Sequence, residues 1–208
     1  MRSLRGAFVC ILLVFCSVLS SKIGLAQTPA VLAQREALFK QHRADFDYLL
    51  GDWEFSGIRK QRDGSDLKLR GYLTAIRFPK GAVILVQDRF LNEDGSTFFE
   101  ASTIIAYNAA LDQWEMATTD DGGFGTGLQD HAVAHRVGNE MQTEAHFATM
   151  SSRPSIWRIR HYDIQPDSYS VVAERSTDGG ATWQKDYERV QVRRLGPTRT
   201  LAPLITRK

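Results

Sequence analysis

Two hydrophobic periods divide the chain. Between residues 30 and 44 apolar side chains recur at helical spacing: Val31, Leu38 and Phe39 share a stripe, with Arg35, Glu36, Lys40 and Gln41 elsewhere on the wheel. Pro29 stands just ahead, where a first-turn proline loses no hydrogen bond. This pattern predicts a helix over 30–44 that packs outside or beneath a sheet. From Trp53 onward the period is two, that of a strand with one buried face. Ten strands are expected, at 52–60, 67–78, 82–90, 97–107, 113–119, 128–137, 140–149, 155–164, 168–175 and 182–194. Turn residues separate them: Asp63-Gly64, Pro79-Lys80-Gly81, Asp94-Gly95, Gly138-Asn139, Pro166-Asp167 and Asp178-Gly179-Gly180. Between the two regimes, Phe46, Tyr48, Leu49 and Leu50 form a short apolar turn that runs into Gly51-Asp52-Trp53.

Many strands with hairpin turns, and no helix between them, predict an antiparallel sheet. A sheet this long tends to close on itself, because closure removes its exposed edges. The expected fold is all-β: a closed antiparallel barrel of about ten strands with one N-terminal helix. The chain divides into a signal peptide over 1–26, the helical segment over 27–45, the barrel over 46–195 and a flexible tail over 196–208. The tail holds Pro197 and Pro203 with Arg199, Arg207 and Lys208.

The signal reading rests on Arg2 and Arg5, an apolar run over 7–19 that is too short to span a bilayer, and small residues in Gly24-Leu25-Ala26 ahead of a cut at Gln27. Bulky Phe15 before Cys16 argues against a lipoprotein anchor there. Export to the periplasm or beyond is therefore expected, with no transmembrane segment once the signal is removed. Both cysteines, Cys10 and Cys16, lie inside the signal, so the mature chain would hold no disulfide. The signal also carries three of the 26 basic residues and no acid, which leaves 23 basic against 24 acidic residues. That balance removes a general nucleic-acid footprint. About 182 residues suit one domain with a sizeable core.

Gly51-Asp52-Trp53 at the first strand resembles the Gly-x-Trp signature of lipocalins and other calycins. The resemblance implies that Trp53 plugs the barrel base and that a basic residue of the last strand covers it: Arg189, Arg193 or Arg194, with Arg193 taken as the cover. Residues 46–55, together with Tyr162-Asp163-Ile164, Asp167-Ser168-Tyr169, the run from Glu174 to Trp183, and Arg193-Arg194, resemble a bacterial exported domain-of-unknown-function family with a calycin-like barrel. That likeness implies the fold and no settled activity. A stacking platform for a ligand is the other reading of Trp53.

The run from Ser176 to Trp183 matches the Asp-box of sialidases. Those enzymes carry several copies on a propeller, and this chain holds one, so a structural hairpin is expected: Asp178 caps the turn, Gly179 and Gly180 take positive φ, and Trp183 packs beneath. Asp120 to Gly127 reads as a loop, with a lid at the barrel mouth as its functional reading; it lacks the Lys-Ser/Thr of a phosphate loop. No Gly-x-Ser-x-Gly, His-Glu-x-x-His or cysteine nucleophile is present.

Two hairpins bear candidate site residues. A two-residue turn at Gly138-Asn139 sets His131 opposite His146, Val133 opposite Glu144 and His135 opposite Gln142. Such a patch could hold haem, zinc or iron. The alternation favours a solvated face, and no metal or other cofactor is expected. A turn at Pro166-Asp167 sets Arg158 opposite Arg175, Arg160 opposite Ala173 and Tyr162 opposite Val171. Neither face of strand 155–164 is cleanly apolar. If this one faces inward, Arg158, Arg160, Tyr162 and Arg175 would hold an acidic or carbonyl-bearing ligand. The expected protein is a small-molecule binder for an apolar or amphipathic ligand, acting as a monomer or homodimer. The alternatives are a cofactor-free enzyme using the lumen, with Tyr162 and an Arg or His as acid–base groups, haem or metal binding through His131, His135 or His146, and a structural or partner-binding role in the cell envelope.

Overall fold

The computed structural model describes residues 28–78, 83–120, 130–147, 154–197 and 199–200. Helix α1 (Pro29–His42) opens the chain, with the Thr28 side chain accepting a hydrogen bond from Val31 N at 3.4 Å. A single 3-10 turn (Asp47–Leu49) leads into the first strand. The strands are β1 (Gly51–Lys60), β2 (Asp66–Arg77), β3 (Val83–Leu91), β4 (Thr97–Asn108), β5 (Gln113–Asp120), β6 (Asp130–Val137), β7 (Glu140–Phe147), β8 (Ser155–Gln165), β9 (Ser168–Ser176), β10 (Gln184–Gly196) and the two-residue β11 (Arg199–Thr200). Each of β1 to β10 pairs antiparallel with its sequence neighbours, and β1 pairs with both β2 and β10. The result is a closed ten-strand up-and-down barrel, as the periodicity predicts. Among the described residues, no helix is long and apolar enough to cross a membrane.

Element ends match the expected ones to within two residues. Positions 82, 128–129 and 148–149 of the expected strands, the glycine-rich stretch 121–127, and the signal segment 1–26 lie outside the described residues. The tail is a correction at its start. Gly196 still belongs to β10, and Arg199 and Thr200 pair parallel with Ile76 and Arg77 rather than hanging free.

One end of the barrel is sealed. Trp53, fully buried, donates its indole N–H to Leu49 O at 2.7 Å and meets the Tyr169 ring edge-on at 5.3 Å. Phe46, Leu49 and Leu50 close the floor with Ala75, Ile84, Ile105, Trp114, Ala134, Met141 and Val192 around them. Gly51 is required at the corner: its φ is 130°, and a Cβ there would stand 2.5 Å from Arg194 Nη1. That close approach belongs to the covering arginine. Arg194 lies over the Trp53 ring at 4.0 Å and donates to Leu50 O and Pro166 O, each at 2.8 Å. Arg193, the expected cover, is corrected: alternation sends it outside, where it binds Glu54 at 2.8 Å. Helix α1 buries no residue fully and touches the barrel through its last turn, where His42 stacks on Tyr107.

The Asp-box run forms a hairpin turn. Asp178 accepts from Thr182 N (2.9 Å) and Thr182 Oγ1 (2.6 Å) and from Ser176 Oγ (2.8 Å). These donors, the Thr182 hydroxyl first, hold its carboxyl down at about 2. Gly179 and Gly180 take positive φ, and Trp183 donates to Gly180 O at 3.0 Å.

Candidate ligand-binding chamber

The half of the lumen away from Trp53 contains a cavity of 440 Å³. Nine of the ten long strands contribute to its lining, Asp130 and Ala132 from β6 and Ala145 and Phe147 from β7 among them. Arg59 stands one residue before the end of β1; Asp88 and Phe90 come from β3, Phe99 and Thr103 from β4, and Thr118 from β5; Trp157 comes from β8, Arg175 from β9 and Tyr187 from β10. Small residues make the room. Ala145 stands opposite Trp157 and Ala173 opposite Ile159, so the bulky side chains of β8 fold over alanines and leave space beyond them.

The chamber is aromatic but charged. Arg59 Nε bonds Glu188 Oε2 at 2.6 Å, and the Arg59 guanidinium lies over Trp157 (5.4 Å) and Phe90 (5.8 Å). That pair is neutral as a unit. Asp88 differs: burial, then the nearby Glu188 charge, pushes its carboxyl up to about 7. Arg175 lies over the Tyr187 ring at 5.1 Å and donates through Nη1 to Tyr187 Oη at 3.2 Å. Its Nε is shielded from solvent and has no acceptor. A buried donor left so costs about 1–3 kcal/mol. Thr103 and Thr118 bond one another at 2.9 Å across β4 and β5.

Of the sequence-derived ligand residues, only Arg175 reaches this chamber. Arg158, Arg160 and Tyr162 stand on the outer wall. Arg158 packs over Trp183 at 4.0 Å and pairs with Glu144 at 3.5 Å, while Arg160 lies over Tyr162 at 5.1 Å and pairs with Glu140 at 3.4 Å. The reason is one residue. Gln165 pairs Ser168 as expected, but the register then shifts between Tyr162 and Gln165, where Asp163 takes a φ of 50°. Beyond this bulge Arg158 faces Glu174, Arg160 faces Val172, Tyr162 faces Ser170, and Trp157 faces Arg175. A one-residue slip moves a whole side-chain set to the other face. Tyr162 as a lumen acid–base group is corrected with the same geometry. Val133, His135, Gln142, Arg158 and Arg160 line a groove on the outer wall instead.

The histidine hairpin keeps its expected register, His131 opposite His146, Val133 opposite Glu144 and His135 opposite Gln142. The His131 and His146 rings stack at 5.3 Å with planes 5° apart, and Glu144 lies 3.3 Å from His146 Nε2. Ala132, Ala134 and Ala145 take the inward positions of these strands, so alternation turns His135 and His146 to the outer face, while His131 also borders the lumen cavity. Another histidine is half-buried: His161 Nδ1 is hydrogen-bonded to Tyr48 Oη at 2.6 Å, and desolvation pushes its pKa down to about 4. It packs on Tyr169 in the floor, so it stays neutral and structural.

Asp88, Arg59, Glu188 and Tyr187 escaped the sequence reading. Each sits in a strand whose two faces have similar polarity. The usable signal was the alanines, since inward Ala132, Ala134, Ala145 and Ala173 identify the inner face across three consecutive hairpins.

No family model matches the chain, and no curated protein matches it. Solved structures do. The crystal structure of Rv2717c from M. tuberculosis aligns with a TM-score of 0.52 at 12% identity, covering 76% of this chain and 97% of that one. The S-type phycobiliprotein lyase CPES from Guillardia theta aligns with a TM-score of 0.51 at 10% identity, covering 74% of this chain and 92% of that one. At such identities the likeness is one of fold: the chain forms a lipocalin-like β-barrel.

Proposed function

We propose that this protein is an exported binder of a small amphipathic molecule, held in the open half of the barrel. The observation that carries the reading is the 440 Å³ cavity, walled by Phe90, Phe99, Phe147, Trp157 and Tyr187 and supplied with a few charged groups. Its size and make-up are those of sites for small ligands, which span about 300–1,000 Å³ and combine apolar walls with sparse polar anchors. Export is supported by the basic start and the apolar run over 7–19, and membership of a bacterial exported family by the residues quoted for it. The deciding experiment is native mass spectrometry of protein purified from its own host. A discrete mass excess that is lost on denaturation is the expected result. A chain that carries no ligand and gives no fluorescence change with any amphiphile would sink the reading.

One observation favours an enzymatic alternative. Asp88, raised to about 7 inside the chamber, could give and take a proton at neutral pH. A structural neighbour named as a lyase makes the same point about the barrel shape. Turnover that collapses in Asp88→Asn while binding survives would favour the enzyme.

A further inference from the structure

We infer that the occupant of the chamber carries a protonated amine, and that the Asp88 carboxylate receives it. This rests on the lumen-binding reading and goes beyond it by fixing the head-group chemistry.

Placement comes first. Asp88 follows the buried Ile84 and Val86 on the inward face of β3 and borders the cavity. Its partners across the two ladders are Leu73 of β2 and Ala101 of β4, and Phe90 is the next inward residue of its own strand. None of these side chains has a polar proton to donate. Arg59 is turned to Glu188 at 2.6 Å, Arg175 to the Tyr187 phenol at 3.2 Å, and Thr103 and Thr118 to one another at 2.9 Å. Among the described residues, no donor reaches the Asp88 carboxyl. A half-buried acceptor left so beside a cavity gains from a donor that a ligand brings.

Charge selects the donor. The other ionisable groups around the cavity are the cations Arg59 and Arg175, the anions Glu188 and Asp130, the His131 imidazole and the Tyr187 phenol, with the Tyr169 phenol close enough to feel the Asp88 charge. Asp130 and His131 are engaged in contacts of their own. Two guanidinium groups thus stand with two carboxylates, and an ionised Asp88 has no further cation to match it. Burial, then the Glu188 charge, keeps its carboxyl protonated up to about 7. A carboxylate head group would add another negative charge. An alcohol would donate one hydrogen bond and leave the charge of Asp88 unmatched. An ammonium donates its N–H and supplies the missing cation. The walls suit it as well, since the Phe90, Trp157 and Tyr187 rings already lie against guanidinium groups. An amine on an apolar body satisfies all of these surfaces.

The test compares decyl amphiphiles that differ only in the head group: decylamine, decyltrimethylammonium, decanol and decanoate. Titration calorimetry at pH 8 reads the affinities. Decylamine should bind at least about 10-fold more tightly than decanol, the ratio a charge-assisted bond supplies. Decyltrimethylammonium has the charge but no N–H, so it should fall below decylamine, and decanoate should bind weakest. Between pH 8 and pH 5 the decylamine affinity should drop, because Asp88 must give up its proton to form the pair, while decanol holds its affinity. In Asp88→Asn, decylamine should fall to the affinity of decanol and lose that pH dependence. Equal binding of decylamine and decanol by the wild-type protein would overturn the amine assignment and leave the chamber standing, and that comparison needs no variant. A pH dependence that persists in Asp88→Asn would move the proton to another group, His131 among them, and overturn Asp88 as the receiver. Decyltrimethylammonium as tight as decylamine would overturn it too, since the aromatic faces alone would then hold the cation. Failure of all four amphiphiles to bind would overturn the chamber reading together with this one.

Discussion

Trp53 concentrates several contacts in one side chain: a hydrogen bond to Leu49 O, an edge-on Tyr169 ring, and the Arg194 guanidinium on its face. Trp53→Ala removes all three and leaves a void under the floor, so it should cost about 3–5 kcal/mol. Thermal or denaturant melting checks this, and a midpoint within a degree or two of wild type would refute it. The two neighbouring arginines make a sharper pair. Arg194→Ala should lower the midpoint clearly, because Leu50 O and Pro166 O lose their donor, whereas Arg193→Ala removes only an exposed pair with Glu54. Arg158 and Arg160, roughly half exposed on the outer wall, should react freely with a guanidinium reagent. Peptide mapping after labelling, with and without an amphiphile, should show no protection at either position.

The β8–β9 hairpin shows how a single backbone angle decides which residues meet. Asp163 sits at a φ of 50°, a region that costs a non-glycine residue about 1–2 kcal/mol. Asp163→Gly should therefore hold or raise stability, and Asp163→Val should lower it by a similar amount; equilibrium unfolding of the two variants measures the difference. This bulge also marks the limit of what the sequence discloses. Strand positions, the barrel, the floor tryptophan and the histidine register were all legible, because period-two patterning and turn residues are local signals. The inward face of β8 was not. Trp157, Ile159 and His161 alternate with Arg158, Arg160 and Tyr162, so both faces mix apolar and polar groups, and the deciding bulge has no glycine to announce it. Arg193 and Arg194 pose the same problem, since two adjacent arginines leave parity open until the register with β1 is known.

At the scale of the whole molecule, the barrel has a sealed end and an open one, and Asp88 lies toward the open one. Asp88 makes that arrangement measurable through pH. Its carboxyl is raised to about 7 by burial and by Glu188, against an ordinary value of 3.8. The native state therefore holds a proton there that the unfolded chain has lost, and stability falls as pH rises between those values. Asp88→Asn lacks this loss, so unfolding measured at pH 5 and at pH 8 should show the variant gaining on wild type at the higher pH, by up to a few kcal/mol. An unchanged gap would mean the carboxylate is solvated. The closure of the sheet carries a different consequence, one of timing. The first strand finds its second partner only in the last long one, through contacts such as Arg59 with Glu188, 129 residues apart. Until that final strand is free, the chain can form at most an open ladder with two raw edges and no floor cover from Arg194. Ring closure is thus the slow, sequence-distant step. For the proposed export, this is an advantage: a chain threading through a membrane pore cannot lock prematurely, because its seam is complete only when its C-terminal strand has emerged.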